Sequence, residues 1–434
     1  MNIRHDIFDF YLSEAIFENR RSFAHLVFEK NALLRLRAVA KEWLRQLRSA
    51  VRYRTMGKRF RDESIGGKVW VFFNTKNQYD SLQFLRSGVP DVVFVTHEAE
   101  VDRFLPAGEA YTVLPVRAAL PVRFLPRYGS LLWGLMRNNP QALWRAFHYL
   151  LRGIGQYEVF TMLIRQYGPR AVVASNDHSV HCRALCHAGN TVGVPTIFFQ
   201  HASIAEDFPP MRFKHACLEG QDTLEKYLLI DPDAERYTRF WLIGMPKFDR
   251  YHPHINRSPC VRVVGLPLNM TEPTASIMNM VTAILDGCRD LVLKIRPHPA
   301  DRRSFNFPAV GQENGNQLRV SNGTSETAFD FLSSVDLIVS GDSSIHLEAA
   351  LLNVVPVYYT TNPERDHYGY ASHGLVEVAR STDEVVHLIR ANQVEKIDVR
   401  HRAKRYYAPL GTQYDGQSAE LGRQVVNEVL NHLA

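Results

Sequence analysis

The strongest constraint on the fold is an alternation of short apolar segments with helical segments through most of the chain. Buried apolar strands separated by helices are typical of a parallel sheet that is covered on both faces. The first part of the chain is therefore predicted to form one doubly wound α/β domain. Its predicted strands are 68–74, 91–96, 111–115, 170–175 and 195–200, and its predicted helical stretches include 130–167 and 178–189.

The same alternation starts again beyond an apolar strand at 240–244. A proline-rich stretch, 245–259, interrupts regular structure and is predicted to link two domains. A chain of 434 residues also exceeds what one core usually covers. Further strands are predicted at 260–266, 290–296, 318–321, 336–340 and 354–359, with helices at 278–286, 327–333 and 345–352.

These patterns predict two Rossmann-like α/β domains in tandem, each with a doubly wound parallel sheet. The predicted units are a basic helical segment (1–62), a first domain (63–250), a second domain (251–410) and a C-terminal helix (411–434).

Composition excludes several classes of protein. Hydrophobic residues make up 45% and charged residues 22% of the chain, which is ordinary for a globular protein. No apolar run approaches the roughly 20 residues of a membrane-spanning helix, and the first residues lack the apolar core of a secretory signal. Five scattered cysteines are too few for a disulfide framework. We therefore expect a cytoplasmic protein. Without a G-x-G-x-x-G or Walker A motif after any strand, NAD and P-loop chemistry are not supported.

Two stretches combine basic and apolar residues. The segment 30–61 has apolar residues at helical spacing and a cationic face. The segment 124–151 is a second stretch in which aromatic and basic residues are combined. Each either packs on its own domain or lies on an anionic membrane surface, and the sequence leaves both alternatives open. Nucleic acid is not expected as a partner, because the aromatic residues fall at the spacing of a helix core.

The second domain has two polar clusters directly after predicted strands, where parallel sheets bind ligands. Arg296 and His298 follow strand 290–296, and both side chains can donate to phosphate oxygens. A turn after strand 336–340 contains Asp342, Ser343 and Ser344, which can cap the next helix or contact an anion. One helical turn further, Glu348 could reach a ribose hydroxyl. Simple turn and capping roles are the alternatives.

The first domain has matching clusters. Gln200 and His201 follow strand 195–200, and a neutral imidazole there could act as general base for an acceptor hydroxyl. Asn176 and Asp177 follow strand 170–175, and Asp177 is predicted either as an alternative base or as the group that orients His201. A buried, hydrogen-bonded histidine is the alternative.

Three groups of residues resemble metal ligands only superficially. They are His178–His187 with Cys182 and Cys186, Asp231 with Asp233, and His252 with His254. The spacing of the first, which includes His181, matches no zinc pattern. The second mimics the DxD motif of metal-dependent transferases but lies in a polar loop after a helix, and the third lies in the proline-rich linker. We expect structural roles for them and predict that the protein needs neither metal nor cofactor.

Four motifs occur in an order that resembles a group of bacterial transferases. A histidine after a first-domain strand is followed by GMPKFD at 244–249, His298-Pro299, and Ser343-Ser344. This order is similar to that of capsule and teichoic-acid transferases, which include the CDP-glycerol glycerophosphotransferases and the bacterial polysialyltransferases. The tail 414–423 is similar to the ending of that group, and it also looks like the ending of non-hydrolysing UDP-N-acetylglucosamine 2-epimerases. The resemblance covers residues 170–430 and implies the GT-B fold, in which two Rossmann-like domains face each other.

The resemblance also implies roles for individual residues. It makes His201 the base, and it places His298, Ser343 and Ser344 on the donor phosphates. Leu218-Glu219-Gly220 is a partial echo of the acidic polysialyltransferase motif, which makes Glu219 a secondary candidate. Two departures from the glycerophosphotransferases concern the donor: Ala202 replaces a glycine, and Gly341-Asp342 replaces Asp-Tyr.

The clusters and the resemblance together predict a metal-independent GT-B glycosyltransferase. It would use a CMP-, CDP- or UDP-linked donor to extend a bacterial capsule or lipopolysaccharide. The acceptor would be a glycan or lipid-linked glycan, and peripheral contact with the cytoplasmic face of the inner membrane stays open. Two alternatives remain: a CDP-polyol phosphotransferase of teichoic-acid type, and a UDP-sugar 2-epimerase. The epimerase needs several carboxylates in the cleft, and the candidates are Asp177, Glu206 and Glu219.

Overall fold

The computed structural model describes most of the chain from residue 62 to residue 432. The predicted basic helix at 30–61 therefore lies outside the described residues, except for Ala40 and Leu44, which are helical and exposed. Glu206 and Pro299 also lie outside them. The gaps are 99, 119–123, 139, 206–207, 270–271, 299–300, 302, 306, 308–313, 322, 324–325 and 361–365.

Seven parallel strands form the first sheet. They are β1 (Val69–Phe72), β2 (Val92–Thr96), β3 (Thr112–Val113), β4 (Ala171–Ala174), β5 (Thr196–Phe199), β6 (His215–Leu218) and β7 (Arg239–Leu242). Their order across the sheet is β3-β2-β1-β4-β5-β6-β7. The connecting helices are α1 (Lys76–Leu82), α2 (Gly129–Asn138), α3 (Pro140–Tyr167), α4 (Val180–Val192) and α5 (Gln221–Ile230).

The central strands β1, β4 and β5 of the first sheet are buried on both faces, as their continuous apolar sequences require. Successive side chains of a strand point to opposite faces. Trp70 and Phe72 accordingly pack with Phe160 of α3 in one core cluster. On the other face, Val69 and Val71 belong to a second core cluster. A parallel strand of this kind therefore needs cover from both sides.

Six parallel strands form the second sheet. They are β8 (Val263–Pro267), β9 (Val292–Arg296), β10 (Gln317–Val320), β11 (Leu337–Ser340), β12 (Val355–Tyr359) and β13 (Glu377–Ala379). Their order is β10-β9-β8-β11-β12-β13. The helices of this domain are α6 (Thr274–Gly287), α7 (Ala328–Leu332), α8 (Ile345–Leu351) and α9 (Thr382–Val394).

The last helix, α10 (Ser418–Asn431), returns to the first domain. Val425 and Val426 are buried in the same core cluster as Val69 and Val71. At its surface, Arg423 Nη1 donates to the backbone oxygen of Phe84 at 3.3 Å. The chain thus crosses between the two sheets twice, once after β7 and once before α10.

The prediction of two doubly wound parallel sheets is confirmed. The stretch predicted as an irregular linker contains a 3₁₀ helix, Pro246–His254, whose Phe248 is fully buried. Strands β6 and β13 and helix α9 were not predicted from the sequence. In the described part of the chain, no helix has both the length and the apolar character needed to cross a membrane.

Candidate functional site

Lys247 connects the carboxyl edges of the two sheets. It belongs to the 3₁₀ helix after β7, and its Nζ donates to the backbone oxygen of His201 at 3.3 Å. The same Nζ contacts Oε1 of Glu348 at 2.6 Å. Because His201 follows β5 and Glu348 lies in the helix after β11, residues beyond the strands of both domains meet at one junction. We call this region, around Lys247, the interdomain junction.

Glu219 lies at the interdomain junction, directly after β6. Its side chain is buried, and Oε2 accepts a hydrogen bond from Gln200 Nε2 at 3.3 Å. Among the described residues, its Oε1 has no hydrogen-bond partner. Desolvation raises the pKa of Glu219 to about 8; Lys247 opposes the rise and Glu348 adds to it. At neutral pH this carboxyl group is therefore mostly protonated and can take part in proton transfer.

Gln200 holds Glu219 in place. Its Oε1 accepts from the backbone amide of Glu219 at 2.8 Å, and its Nε2 also donates to Thr223 Oγ1 at 3.0 Å. The side chain is buried and has partners for both ends of its amide. Gln200 therefore positions Glu219. The sequence alone did not indicate this role.

His201 lies where the sequence predicts, two residues beyond β5. Desolvation, followed by the nearby His178 and Lys247, lowers its pKa to about 3. The ring is uncharged at neutral pH, as the general-base hypothesis requires. However, an imidazole with such a low pKa is a weak base, since an efficient catalytic base has a pKa near the working pH.

Asp177 is placed differently from its prediction. Its Oδ1 contacts Nδ1 of His178 at 3.1 Å, and its Oδ2 accepts from the hydroxyl of Tyr227 at 2.5 Å. Burial alone would raise the pKa of Asp177, but the contact with His178 and then that with Tyr227 hold it below the ordinary value. The structure thus pairs Asp177 with His178 and not with His201. A buried carboxylate with both oxygens engaged is also poorly placed to take a proton from an acceptor.

In the second domain, Arg296 and His298 follow β9 as predicted. The Nη2 of Arg296 donates to the backbone oxygen of Glu326 at 2.9 Å, so part of the guanidinium is already engaged. Its Nε is buried and has no hydrogen-bond partner among the described residues. His298 is exposed, and desolvation followed by the charge of Arg296 lowers its pKa. The Nε–H of Arg296 is thus a donor that a phosphate could use.

The predicted serine turn precedes α8. Ser344 is the N-cap residue, but its side chain makes no capping hydrogen bond. Ser343 Oγ instead accepts from the backbone amide of Ile345 at 3.4 Å. The backbone oxygen of Asp342 accepts from Asn269 Nδ2 at 3.4 Å. The two serines therefore provide little capping to the helix, which leaves their hydroxyls for other contacts.

A carboxylate that the sequence did not single out lies against this turn. Glu272 follows β8, and burial raises its pKa, partly offset by hydrogen bonds from the amides of Asn269 and Gly341. A Cβ atom on Gly341 would lie only 2.8 Å from Glu272 Oε1, which shows how closely this carboxyl group approaches the turn. Any anion bound at the turn would lie close to this carboxyl group.

Three of the residues with superficial metal-ligand character have structural surroundings. Cys182 and Cys186 lie in the core of the first domain, where burial raises each thiol pKa to about 12. Asp231 Oδ2 accepts from Arg212 Nη1 at 2.7 Å. Among the described residues, no group of three or more His, Cys, Asp or Glu side chains is arranged to hold a metal ion.

A surface cavity of about 760 Å³ lies away from the interdomain junction. It is lined by residues at the amino ends of the strands, among them Pro195, Lys214 and Arg239. It therefore lies at the opposite edge of the first sheet from His201 and Glu219.

Comparison with known proteins identifies the fold. No family model matches the sequence, and no curated protein matches it in a sequence search. Among solved structures, the UDP-N-acetylglucosamine 2-epimerase from Rickettsia bellii has a TM-score of 0.53 at 16% identity, covering 85% of this chain and 96% of its own. The Neisseria meningitidis enzyme bound to UDP-GlcNAc has a TM-score of 0.54 at 12% identity, covering 83% and 100%.

A histidine variant of the wall teichoic acid polymerase TagF is also similar. Its TM-score is 0.52 at 12% identity, and the match covers 94% of this chain and 100% of that structure. At these identities the likeness shows the fold alone. The chain has the GT-B fold, as the motifs predicted.

Proposed function

We propose that the protein is a metal-independent GT-B glycosyltransferase that uses a CMP-, CDP- or UDP-linked donor to extend a bacterial capsule or lipopolysaccharide. The observation that carries the proposal is the contact of Lys247 with both His201 and Glu348. It brings the carboxyl ends of β5 and β11, one from each domain, to a single place. Ligands of open parallel sheets bind at such ends.

In this proposal the second domain binds the donor. His298, the unpartnered Nε of Arg296 and the hydroxyls of Ser343 and Ser344 would contact donor phosphates, with Asp342 in the same turn. Glu348 would contact the ribose. Lys247 and Arg296 would stabilise the charge that develops on the leaving nucleotide, so the reaction needs no metal.

The first domain would bind the acceptor. Glu219 supports this role, because it is a buried carboxyl group with an unpartnered oxygen next to Lys247. An accessible apolar surface supports a glycan or lipid-linked acceptor: Trp133 and Met136 of α2 are 64% and 51% exposed. Such side chains suit the stacking of sugars or contact with the cytoplasmic face of the inner membrane.

The two alternatives remain candidates for specific reasons. A CDP-polyol phosphotransferase remains a candidate because the order of the His201, GMPKFD, His298-Pro299 and Ser343-Ser344 motifs is similar to that of the CDP-glycerol glycerophosphotransferases. A UDP-sugar 2-epimerase is favoured by Glu219, since epimerisation requires a group that exchanges a proton with the sugar carbon, and its pKa near 8 suits that task.

A thermal-shift panel tests the proposal. CMP, CDP, UDP, GDP and ADP are added to the wild type, to His298→Ala and to His387→Ala, an exposed histidine on α9 that serves as the matched control. A ligand at about 100 times its Kd adds roughly 2.7 kcal/mol to the free energy of unfolding. We expect one pyrimidine nucleotide to raise the Tm of the wild type and of the control, but not of His298→Ala. If no nucleotide raises the Tm of the wild type, the proposal is wrong.

Product analysis then separates the three reactions. Incubation with UDP-GlcNAc alone should leave the sugar configuration unchanged if the protein is a transferase, whereas an epimerase would release the 2-epimer. CDP-glycerol with a teichoic-acid-type primer would be consumed only by the phosphotransferase. Formation of the 2-epimer would replace the glycosyltransferase proposal.

A further inference from the structure

We propose that His178 is the general base of the first domain and that Asp177 and Tyr227 position it. This inference rests on the transferase function proposed above. In the step considered, Nε2 of His178 takes the proton of the acceptor hydroxyl while the hydroxyl oxygen forms a bond to the transferred group. The bond from that group to the nucleotide phosphate oxygen breaks, and this oxygen keeps the electron pair.

The local fold places His178 at the correct edge of the sheet. β4 ends at Ala174, and Asn176 Oδ1 accepts from the backbone amides of Ser179 and His178 at 2.7 and 3.2 Å. These bonds fix the turn between β4 and α4. His178 therefore lies beyond the carboxyl end of a central strand, next to the strand that leads to His201.

A buried pair behind His178 fixes its tautomer. Tyr227 is fully buried, and burial raises its pKa well above the ordinary value, so its hydroxyl remains a donor. It donates to Asp177 Oδ2, which leaves Oδ1 to accept from Nδ1–H of His178 at 3.1 Å. With the proton on Nδ1, the lone pair of the neutral ring is on Nε2.

The surroundings of Nε2 agree with this assignment. Asn176 Nδ2, which can only donate, lies 3.2 Å from Nε2, as an acceptor nitrogen requires. The rings of Phe208 and His178 pack in a T-shaped arrangement with the centroids 5.0 Å apart, and the ring of His201 lies 6.5 Å away. Despite these contacts the side chain of His178 is 42% exposed. An acceptor hydroxyl that replaces the Asn176 amide would therefore reach Nε2.

His201 has no positioning pair like that of His178 among the described residues. Within the described part of the chain, no carboxylate is hydrogen-bonded to its ring, and Asp177 is engaged by His178 and Tyr227. Its backbone oxygen is held by Lys247, which gives it a place in the junction. The geometry therefore assigns His201 to the wall of the site and His178 to the proton transfer.

Donor turnover by the full-length protein tests the assignment. UDP-GlcNAc, CDP-glycerol and CMP-sialic acid are supplied in turn, and nucleotide release is measured for the wild type, His178→Gln and the control His387→Ala. We expect His178→Gln to lower turnover by about 100-fold or more, the contribution typical of a general base. The Tm increase caused by the matching nucleotide should be unchanged. Turnover within threefold of the wild type would overturn the assignment while leaving the proposed function intact.

The positioning pair has its own readout. In the wild type, ¹⁵N spectra of labelled histidine should show His178 with its proton on Nδ1. Asp177→Asn should change this tautomer and lower kcat at an unchanged KM for the donor. Since a buried substitution can impair folding, Tyr227→Phe provides a second variant that keeps the carboxylate. An unchanged kcat in folded Asp177→Asn would contradict the positioning role. If the wild type turns over no donor and binds no nucleotide, the proposed function fails, and the assignment fails with it.

Discussion

The carboxylate of Asp249 accepts a hydrogen bond from the backbone amide of Ala419 at 2.6 Å, although 170 residues separate them. Its other oxygen accepts from the amide of Ser418 at 3.0 Å. Asp249 thus caps α10 from the crossover segment that follows β7. Two of the segments that carry the resemblance, GMPKFD and the tail 414–423, therefore form one structural unit at which both chain crossings meet.

Replacing this cap should loosen α10. In Asp249→Asn one carboxylate oxygen becomes an NH₂ group that cannot accept from a backbone amide. We expect the free energy of unfolding to fall by about 1–2 kcal/mol, as for loss of a helix cap. Hydrogen exchange should become faster in α10 in particular. The exposed Asp286→Asn is the control, and equal exchange in the two variants would contradict the capping role.

Glu219 should make stability depend on pH. The folded protein keeps its proton up to a pKa of about 8, whereas the ordinary value in an unfolded chain is 4.5. The folded state therefore binds more protons across this window, and the free energy of unfolding should fall as pH rises from about 4.5 to about 8. The slope from this group is at most about 1.4 kcal/mol per pH unit. Denaturation of wild type and Glu219→Gln at several pH values measures it, and identical slopes would refute the prediction.

The ion pair between Lys247 and Glu348 should stabilise the interdomain junction. Both side chains are largely buried, at 12% and 11% exposure. Lys247→Met leaves a buried carboxylate unpaired, which we expect to cost about 3 kcal/mol. Adding Glu348→Gln should restore part of this loss in a double-mutant cycle. The surface pair of Arg236 with Asp233 is the control, where Arg236→Met should cost about 0.5 kcal/mol or less. Equal costs in the two variants would exclude a special role for Lys247.

Glu272 should oppose nucleotide binding. Its carboxyl group lies against Gly341 in the turn proposed to contact donor phosphates. Glu272→Gln removes a negative charge while keeping the shape, so we expect the Kd of the matching nucleotide to fall about five- to tenfold. Calorimetric titration measures this change. An unchanged or higher Kd would indicate that phosphate binds away from the Ser343–Ser344 turn.

The fold was largely predictable because most strands are continuous apolar runs. The run 68–74 contains β1, and 336–340 contains β11. β6 was missed because its four residues, His215–Leu218, include a histidine and an alanine and show neither alternation nor a long apolar run. Only its position between β5 and β7 makes it a strand.

The positions of the site residues could be predicted from the sequence, but their hydrogen-bond and ion-pair partners could not. Residues after strands could be identified from the sequence, since parallel sheets gather them at one edge. The contact between Asp177 and Tyr227 joins residues fifty positions apart, and no local pattern encodes it. The same holds for Lys247, whose importance depends on Glu348 in the other domain.

The return of α10 to the first sheet has a consequence for synthesis. Val425, Val426, Val429 and Leu430 cover one face of that sheet, so the first domain cannot complete its core until residues beyond 425 have left the ribosome. The second domain, by contrast, has all its strands by residue 379. The domain that is translated first is therefore expected to be finished last, and during that interval its uncovered apolar face would be the natural target for a chaperone.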